Sequence, residues 1–348
     1  MSKSLLQIKL YLGYIFFCSI GFASILDSAH LKLSQYNFFQ KPMKKLIPTP
    51  GVVPFHLATP LFTDYAHKLR FIYLPEGEKI TYIDGESFEF PLGTIFIKNF
   101  YYPADFRYPD KDWNIIETRL LHHTEEGWVG LPYIWNKEQT DATLEIAGGR
   151  QDISWINEAG KRETLNYHVP NFNDCKSCHV YDGVIQPIGP KPRLINCDYT
   201  YGSGSMNQLK KWMELDMVRN IPHPNQIPNT ADWENSAESI DKRARAYLDV
   251  NCAHCHNPKG PANTSGLFLE YNQTDPRHIG IFKPPVAAGR GSGSHQFNIV
   301  PGNPDASIFM FRMESNDPGI MMPELGRKMV HQEGIELMRE WITNLKKD

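Results

Sequence analysis

The sequence predicts an α+β chain of several domains, with an N-terminal β-sandwich-like module followed by mainly α modules. Three observations predict it. From about Met43 to Pro170, short runs rich in β-branched and aromatic residues alternate with turn residues. After Asn171 the texture changes to loops and amphipathic helical stripes. The length, 348 residues, is enough for two or three cores.

The N-terminus reads as an export leader. Lys3 and Lys9 precede an uncharged run from Leu10 to Leu26, with small residues at Gly21 and Ala23. A basic start, an apolar run and small residues predict a secretory signal over residues 1–23, cut near Ala23. So short a run lies at the lower edge of what spans a bilayer, so membrane attachment is expected only if the leader stays uncleaved. Ile15, Phe16 and Phe17 are too bulky for lipidation at Cys18. The mature chain is therefore expected in the periplasm or otherwise exported.

Residues 43–170 form the predicted β-rich domain. The runs Leu69–Pro75, Lys79–Asp84 and Thr94–Tyr102 have strand composition. Ile115–His123 and Gly127–Trp135 flank Glu125 and Glu126 as a hairpin, and Asp152–Ile156 pairs with Glu163–Val169 across "NEAGKR" in the same way. Trp113, Trp128, Trp135 and Trp155 are expected in the core, since aromatic residues favour burial. Beyond this domain, helical stripes are carried by Leu209, Trp212, Met213 and Met217, by Ile240, Ala244, Tyr247 and Leu248, and by Ile335, Met338, Ile342 and Leu345. The Pro-rich "NIPHPNQIPNT" between them reads as a linker.

Charge excludes little but is informative. A formal net charge of −3 gives no reason to expect nucleic acid. Cysteine use is more telling. Of 6 cysteines, four fall in "CKSCH", Cys175–His179, and "CAHCH", Cys252–His256. Without Cys18 the rest is Cys197, an odd count with only local pairs and so a poor disulfide framework for an oxidising compartment. Zinc ribbons pair such elements about 15–20 residues apart, far closer than Cys178 and Cys252, and a redox dithiol wants a βαβ setting that is not visible. Neither needs His directly after both pairs.

Cys-x-x-Cys-His is the signature of covalent haem attachment, with two thiols adding to the vinyl groups and the His ligating iron. The chain is thus expected to carry two covalently bound haem c groups, with cysteines 175, 178, 252 and 255 as attachment points and His179 and His256 as iron ligands. The helical modules become cytochrome c-like haem modules: a first haem-binding segment over 171–222 and a second domain over 235–348. Gly189–Pro190 is placed to offer a carbonyl to His179. Met322, before Pro323 in "MMPELGR", is the expected sixth ligand of the second haem, since a Met thioether raises the potential. Arg193 and Arg327 are candidate partners for haem propionates. For the first haem the sixth ligand stays open among Met206, Met213, Met217, His223 and His168.

With "LATPLFTDYAHKLRF", "ETRLLHH", "GLPYIWNKEQTDA", "IGPKPRLIN", "RARAYLDVNCAHCH", "NIVPGNPDASIFMFRM" and "MMPELGR", the chain resembles a family of bacterial exported di-haem c-type cytochromes with a β-rich N-terminal region. The resemblance covers most of the mature chain and implies two covalent haems behind that region. Cys197 departs from it and reads as a buried free thiol. The expected function is extracytoplasmic electron transfer with a redox partner protein and no catalytic residue. The alternative is a di-haem peroxidase-like enzyme with one open-coordinate haem.

Overall fold

The computed structural model describes residues 29–83 and 88–346. The leader read at 1–23 lies outside the described residues. Among the described residues no helix is long and apolar enough to cross a membrane.

One antiparallel sheet organises the first half of the chain. Its six strands run in the order β1 (Val52–Phe55), β2 (His67–Tyr73), β4 (Ile95–Pro103), β5 (Trp113–Thr124), β6 (Gly127–Trp135) and β7 (Ala142–Leu144). The short β3 (Ile80–Thr81) is excluded from it. The β5–β6 hairpin closes where Thr124 pairs with Gly127, whose φ of 105° suits a residue without a Cβ.

Register explains how both faces are used. Phe71, Ile97, Leu120 and Leu131 lie opposite one another across β2, β4, β5 and β6, so they share a face. That face packs under Leu33, Phe38, Phe39, Met43 and Leu46 from the N-terminal segment. Ile72, Phe96 and Leu121 occupy the other face. One end of it is covered by Leu194, Ile195, Leu209, Trp212 and Ile227. A separate hairpin, β8 (Gly149–Ile156) with β9 (Arg162–Val169), covers the other end through Ile153, Trp155, Tyr167 and Val169, which meet Phe100, Tyr102 and Ile116. Trp135 and Trp155 are buried, whereas Trp113 and Trp128 are only partly so.

The expected fold class needs correction. Over the structure as a whole strand makes up 27% against 24% helix, so the chain does not continue as mainly α modules; among the described residues it has seven α-helices, all after residue 171. These are α1 (Phe172–His179), α2 (Pro192–Ile195), α3 (Gln208–Glu214), α4 (Ile240–Asn251), α5 (Pro276–Ile279), α6 (Ile308–Met313) and α7 (Gln332–Asn344). Between them lie two-stranded ribbons: β10 (Val180–Tyr181) with β11 (Val184–Ile185), β12 (Asp198–Tyr201) with β13 (Gly204–Asn207), and β14 (Val218–Arg219) with β3. The cause is turn chemistry. Asp182 and Gly183 have φ of 51° and 80°, the pair of left-handed residues that closes a two-residue hairpin. A second sheet of sandwich size is likewise replaced by the β8–β9 hairpin alone.

The segment expected as a linker is packed. The Asn196 side chain donates to the Pro224 and Ile227 carbonyls at 3.0 and 2.7 Å, and Ile227 is buried in the core under the sheet. Only α4 and α7 are long helices. They meet in a third core of Tyr247, Leu248, Met338, Trp341 and Ile342, joined by Met310 and Met313 of α6. Ser239 caps α4 by accepting from the Lys242 amide at 3.4 Å.

Trp212 is fully buried between Phe55 and Phe88, at ring separations of 6.1 and 5.7 Å, and fixes α3 to the sheet. Trp212→Ala should cost about 3–5 kcal/mol, the range for emptying an aromatic core site. Urea unfolding followed by tryptophan fluorescence measures it; a loss below about 1 kcal/mol would show that the segment after residue 171 is held by other contacts.

Candidate functional site

The first Cys-x-x-Cys-His occupies α1. Asn171 caps this helix by accepting from the Asp174 amide at 2.9 Å, while Asp174 accepts from the Asn171 amide at 3.1 Å. The helix docks on β6: a Cβ added at Gly130 would stand 3.3 Å from both Cβ and Sγ of Cys175. The second motif follows α4 directly, with the His256 amide donating to the Cys252 carbonyl at 2.9 Å. Its turn closes through Gly260, where a Cβ would come within 2.4 Å of the Cys255 carbonyl, so only glycine fits.

The fold brings these distant motifs together. The thiols of Cys178 and Cys255 share a hydrogen bond, and Cys255 Sγ lies 4.0 Å from the Ser177 carbonyl. That contact, helped by His254, favours the Cys178 thiolate and holds the Cys255 thiol protonated. Around them, the Asp182 amide donates to the Lys259 carbonyl at 3.0 Å and the Lys259 ammonium pairs with Asp182 at 3.1 Å. Burial pushes the Cys252 thiol up to about 12 and raises Cys175 as well.

Both motif histidines present the same nitrogen. His179 Nδ1 lies 2.8 Å from the Gln186 carbonyl, which can only accept, so Nδ1 carries the proton. His256 Nδ1 lies 3.1 Å from Ser265 Oγ. The Ser265 hydroxyl donates to the Ala262 carbonyl at 2.7 Å, so it accepts from His256. In each ring Nε2 keeps its lone pair for a metal. Burial lowers the pKa of both rings to about 4, keeping them neutral as a ligand must be. The carbonyl role read at Pro190 falls to Gln186 instead; Gly189 lies where a Cβ would come within 2.8 Å of Leu57 Cδ1.

Met322 lies beside Arg312. Its amide donates to the Arg312 carbonyl at 3.0 Å, and the Arg312 charge is near enough to oppose protonation of His256. Arg327 holds this loop: its guanidinium donates to the carbonyls of Met322 at 2.8 Å, Ser315 at 2.9 Å and Met313 at 3.1 Å. Arg193 donates from Nη2 to both Asp249 carboxylate oxygens, at 2.8 and 2.7 Å, and from Nη1 to Thr230 Oγ1 at 2.9 Å. Both guanidiniums read as propionate partners thus have protein acceptors. Of the residues considered for the first haem, His168 pairs with Asp174, Met217 is in the core, Met213 is exposed and His223 caps a 3-10 turn. Met206 lies on β13 opposite Tyr199.

Sequence reasoning missed the place of His254, which stands beside Cys178 of the other motif with a buried Nδ1 that has no partner. It also missed a cavity of about 720 Å³ lined by His56, Tyr65, His67, Lys68, Arg70 and His331. Among the described residues, no three of His, Cys, Asp and Glu are grouped to hold a bare metal ion. Comparison with protein-family models, curated proteins and solved structures gives no match to this chain.

His331 allows a test of the site's surroundings. It stacks on Phe62 at 4.1 Å and meets the Tyr247 hydroxyl at 2.9 Å; burial, then Lys68 and Arg327, lowers its pKa to about 4. Because the folded pKa lies below the unfolded value of 6.5, the contribution is complete above pH 6.5 and lost as pH falls toward 4. The full effect is about 3 kcal/mol. His331→Gln should flatten stability against pH over that window in urea unfolding; an unchanged slope would mean that the ring is not held neutral.

Proposed function

We propose that the protein is an extracytoplasmic di-haem c-type cytochrome that exchanges electrons with a redox partner protein. The observation that carries this reading is the meeting of the two Cys-x-x-Cys-His segments at Cys178 and Cys255, each with a neutral histidine whose Nε2 is free. Haem, when bound, supplies a one-electron iron couple on each histidine.

The residues fit that group. Cys175 and Cys178 sit on one short helix, one turn apart, so both thiols face one ligand edge with His179 next to them. Cys252 and Cys255 hold the same relation after α4. The need for three or more clustered ligands does not arise, because the porphyrin supplies four of the six iron ligands and the chain only one or two. Met322 is the proposed sixth ligand at the second haem, held by Arg327 through its own carbonyl. The leader ending near Ala23 is the proposed route across the membrane, where haem attachment to thiols takes place.

Intact mass of protein made in a haem-attaching host should show two covalent haems. Cys175→Ala and Cys252→Ala should each weaken or lose one attachment, and Cys197→Ser should keep both. Apoprotein mass with bound zinc would end the reading. Met322→Ala should leave both haems attached and turn one low-spin ferric signal high-spin; an unchanged spectrum would remove Met322 as ligand. Arg327→Ala should give a partial version of the same change.

A further inference from the structure

Beneath the first motif, the sheet carries a row of cations. Arg70 on β2 lies opposite Lys98 on β4, and Lys98 lies opposite Arg119 on β5. Like charges directly opposite one another are unfavourable in a sheet, so the row asks for an anion. Glu117 satisfies only Arg119, in a forked pair at 2.8 and 2.5 Å. Its remaining capacity goes to the Tyr167 hydroxyl at 2.5 Å.

The other cations have no carboxylate. Among the described residues no ion pair involves Lys68, Arg70 or Lys98 (Lys98 has only the Phe100 ring, at 4.8 Å, and Lys68 the Ala66 carbonyl, at 3.0 Å). Arg70 is 8% exposed, and its Nη2 is buried with no hydrogen-bond partner. Burial and mutual repulsion push both lysines well down. The acid that acts on Lys68, Asp64, already accepts the amides of Lys328 and Met329 at 2.7 Å. An orphaned, nine-tenths-buried guanidinium beside two lysines that have no acidic partner is costly unless something negative binds there.

The row also points at the motif. Cys175 of α1 sits on Gly130 of β6, which pairs with Leu121, two residues along β5 from Arg119, and Arg119 faces Lys98 across the sheet. Lys68 and Arg70, though not Lys98, line the 720 Å³ cavity, which gives carboxylates room to enter beside Arg70. Resting on the di-haem reading, we propose that Lys68, Arg70 and Lys98 form a carboxylate site that takes the propionates of the first haem. A fork from Arg70 and two point charges match a pair of carboxylates in number and chemistry. These residues, rather than Arg193, set that haem's potential, because nearby positive charge disfavours the ferric state.

The test uses the holoprotein and spectroelectrochemical titration of both haems. Arg70→Gln and Lys98→Met should each shift one haem's reduction equilibrium about tenfold toward ferric, with the other haem unchanged. Arg70→Lys should recover most of the shift, and Lys98→Met keeps the test open if Arg70→Gln does not fold. Two attached haems by mass with both potentials unmoved would overturn the propionate site and leave the di-haem reading intact. Loss of haem from Cys175 and Cys178 in the unmodified protein would instead sink that reading. Succinate is the probe for a free carboxylate ligand. If it raises the melting temperature of the unmodified protein but not of Arg70→Gln, the site belongs to a soluble ligand and the propionate assignment falls.

Discussion

The second face of the six-stranded sheet has to be covered, and the rest of the molecule follows from how that is done. Ile72, Phe96, Phe100 and Leu121 lie on it, and apolar area of this extent is unfavourable in water. The β8–β9 hairpin takes one end and α3, with the segment around Leu194 and Ile227, takes the other. Between them lies the polar row of Arg70, Lys98 and Arg119, which neither cover can fill. The first Cys-x-x-Cys-His helix is delivered to that gap, because the chain leaves β9 at Val169 and enters α1 at Phe172.

The second half supplies rigidity of another kind. Its long loops carry few ladder hydrogen bonds, so buried guanidiniums gather carbonyls instead. Arg327 ties the loop holding Met322 to α6, and Arg245 donates to the carbonyls of Glu270, Tyr271 and Gln273. Removing such a group leaves several buried carbonyls unsatisfied at once, which is costlier than losing one bond.

The long elements were legible from periodicity and composition. Strands over 94–102 and 115–135 and helices over 240–251 and 332–344 follow expected stretches closely, because each has enough residues to show its period. Two-residue strands such as Val180–Tyr181 have no period to show, although Asp182–Gly183 carried a hairpin signal. Met213 was read as part of an apolar stripe but is 38% exposed, because α3 ends at Glu214 before the stripe is complete. Both motifs stand out in the sequence by their spacing. Their contact does not, and neither does the cation row, since cross-strand register places Arg70 beside Lys98 only once the sheet is formed. Arg193 and Arg327 looked like propionate partners by proximity in sequence; their acceptors are contributed by residues such as Asp249 and Ser315 that only the fold brings near.

For the proposed di-haem protein, contact between the two Cys-x-x-Cys-His segments is tested most directly by pulsed EPR of the oxidised holoprotein, measuring the relaxation of one ferric haem with the other ferric or reduced. Touching edges at Cys178 and Cys255 predict strong coupling: fast relaxation and a split or broadened signal when both are ferric, reversed when one is reduced. Two independent signals, with relaxation indifferent to the state of the neighbour, would contradict the contact and with it the di-haem arrangement proposed for this fold.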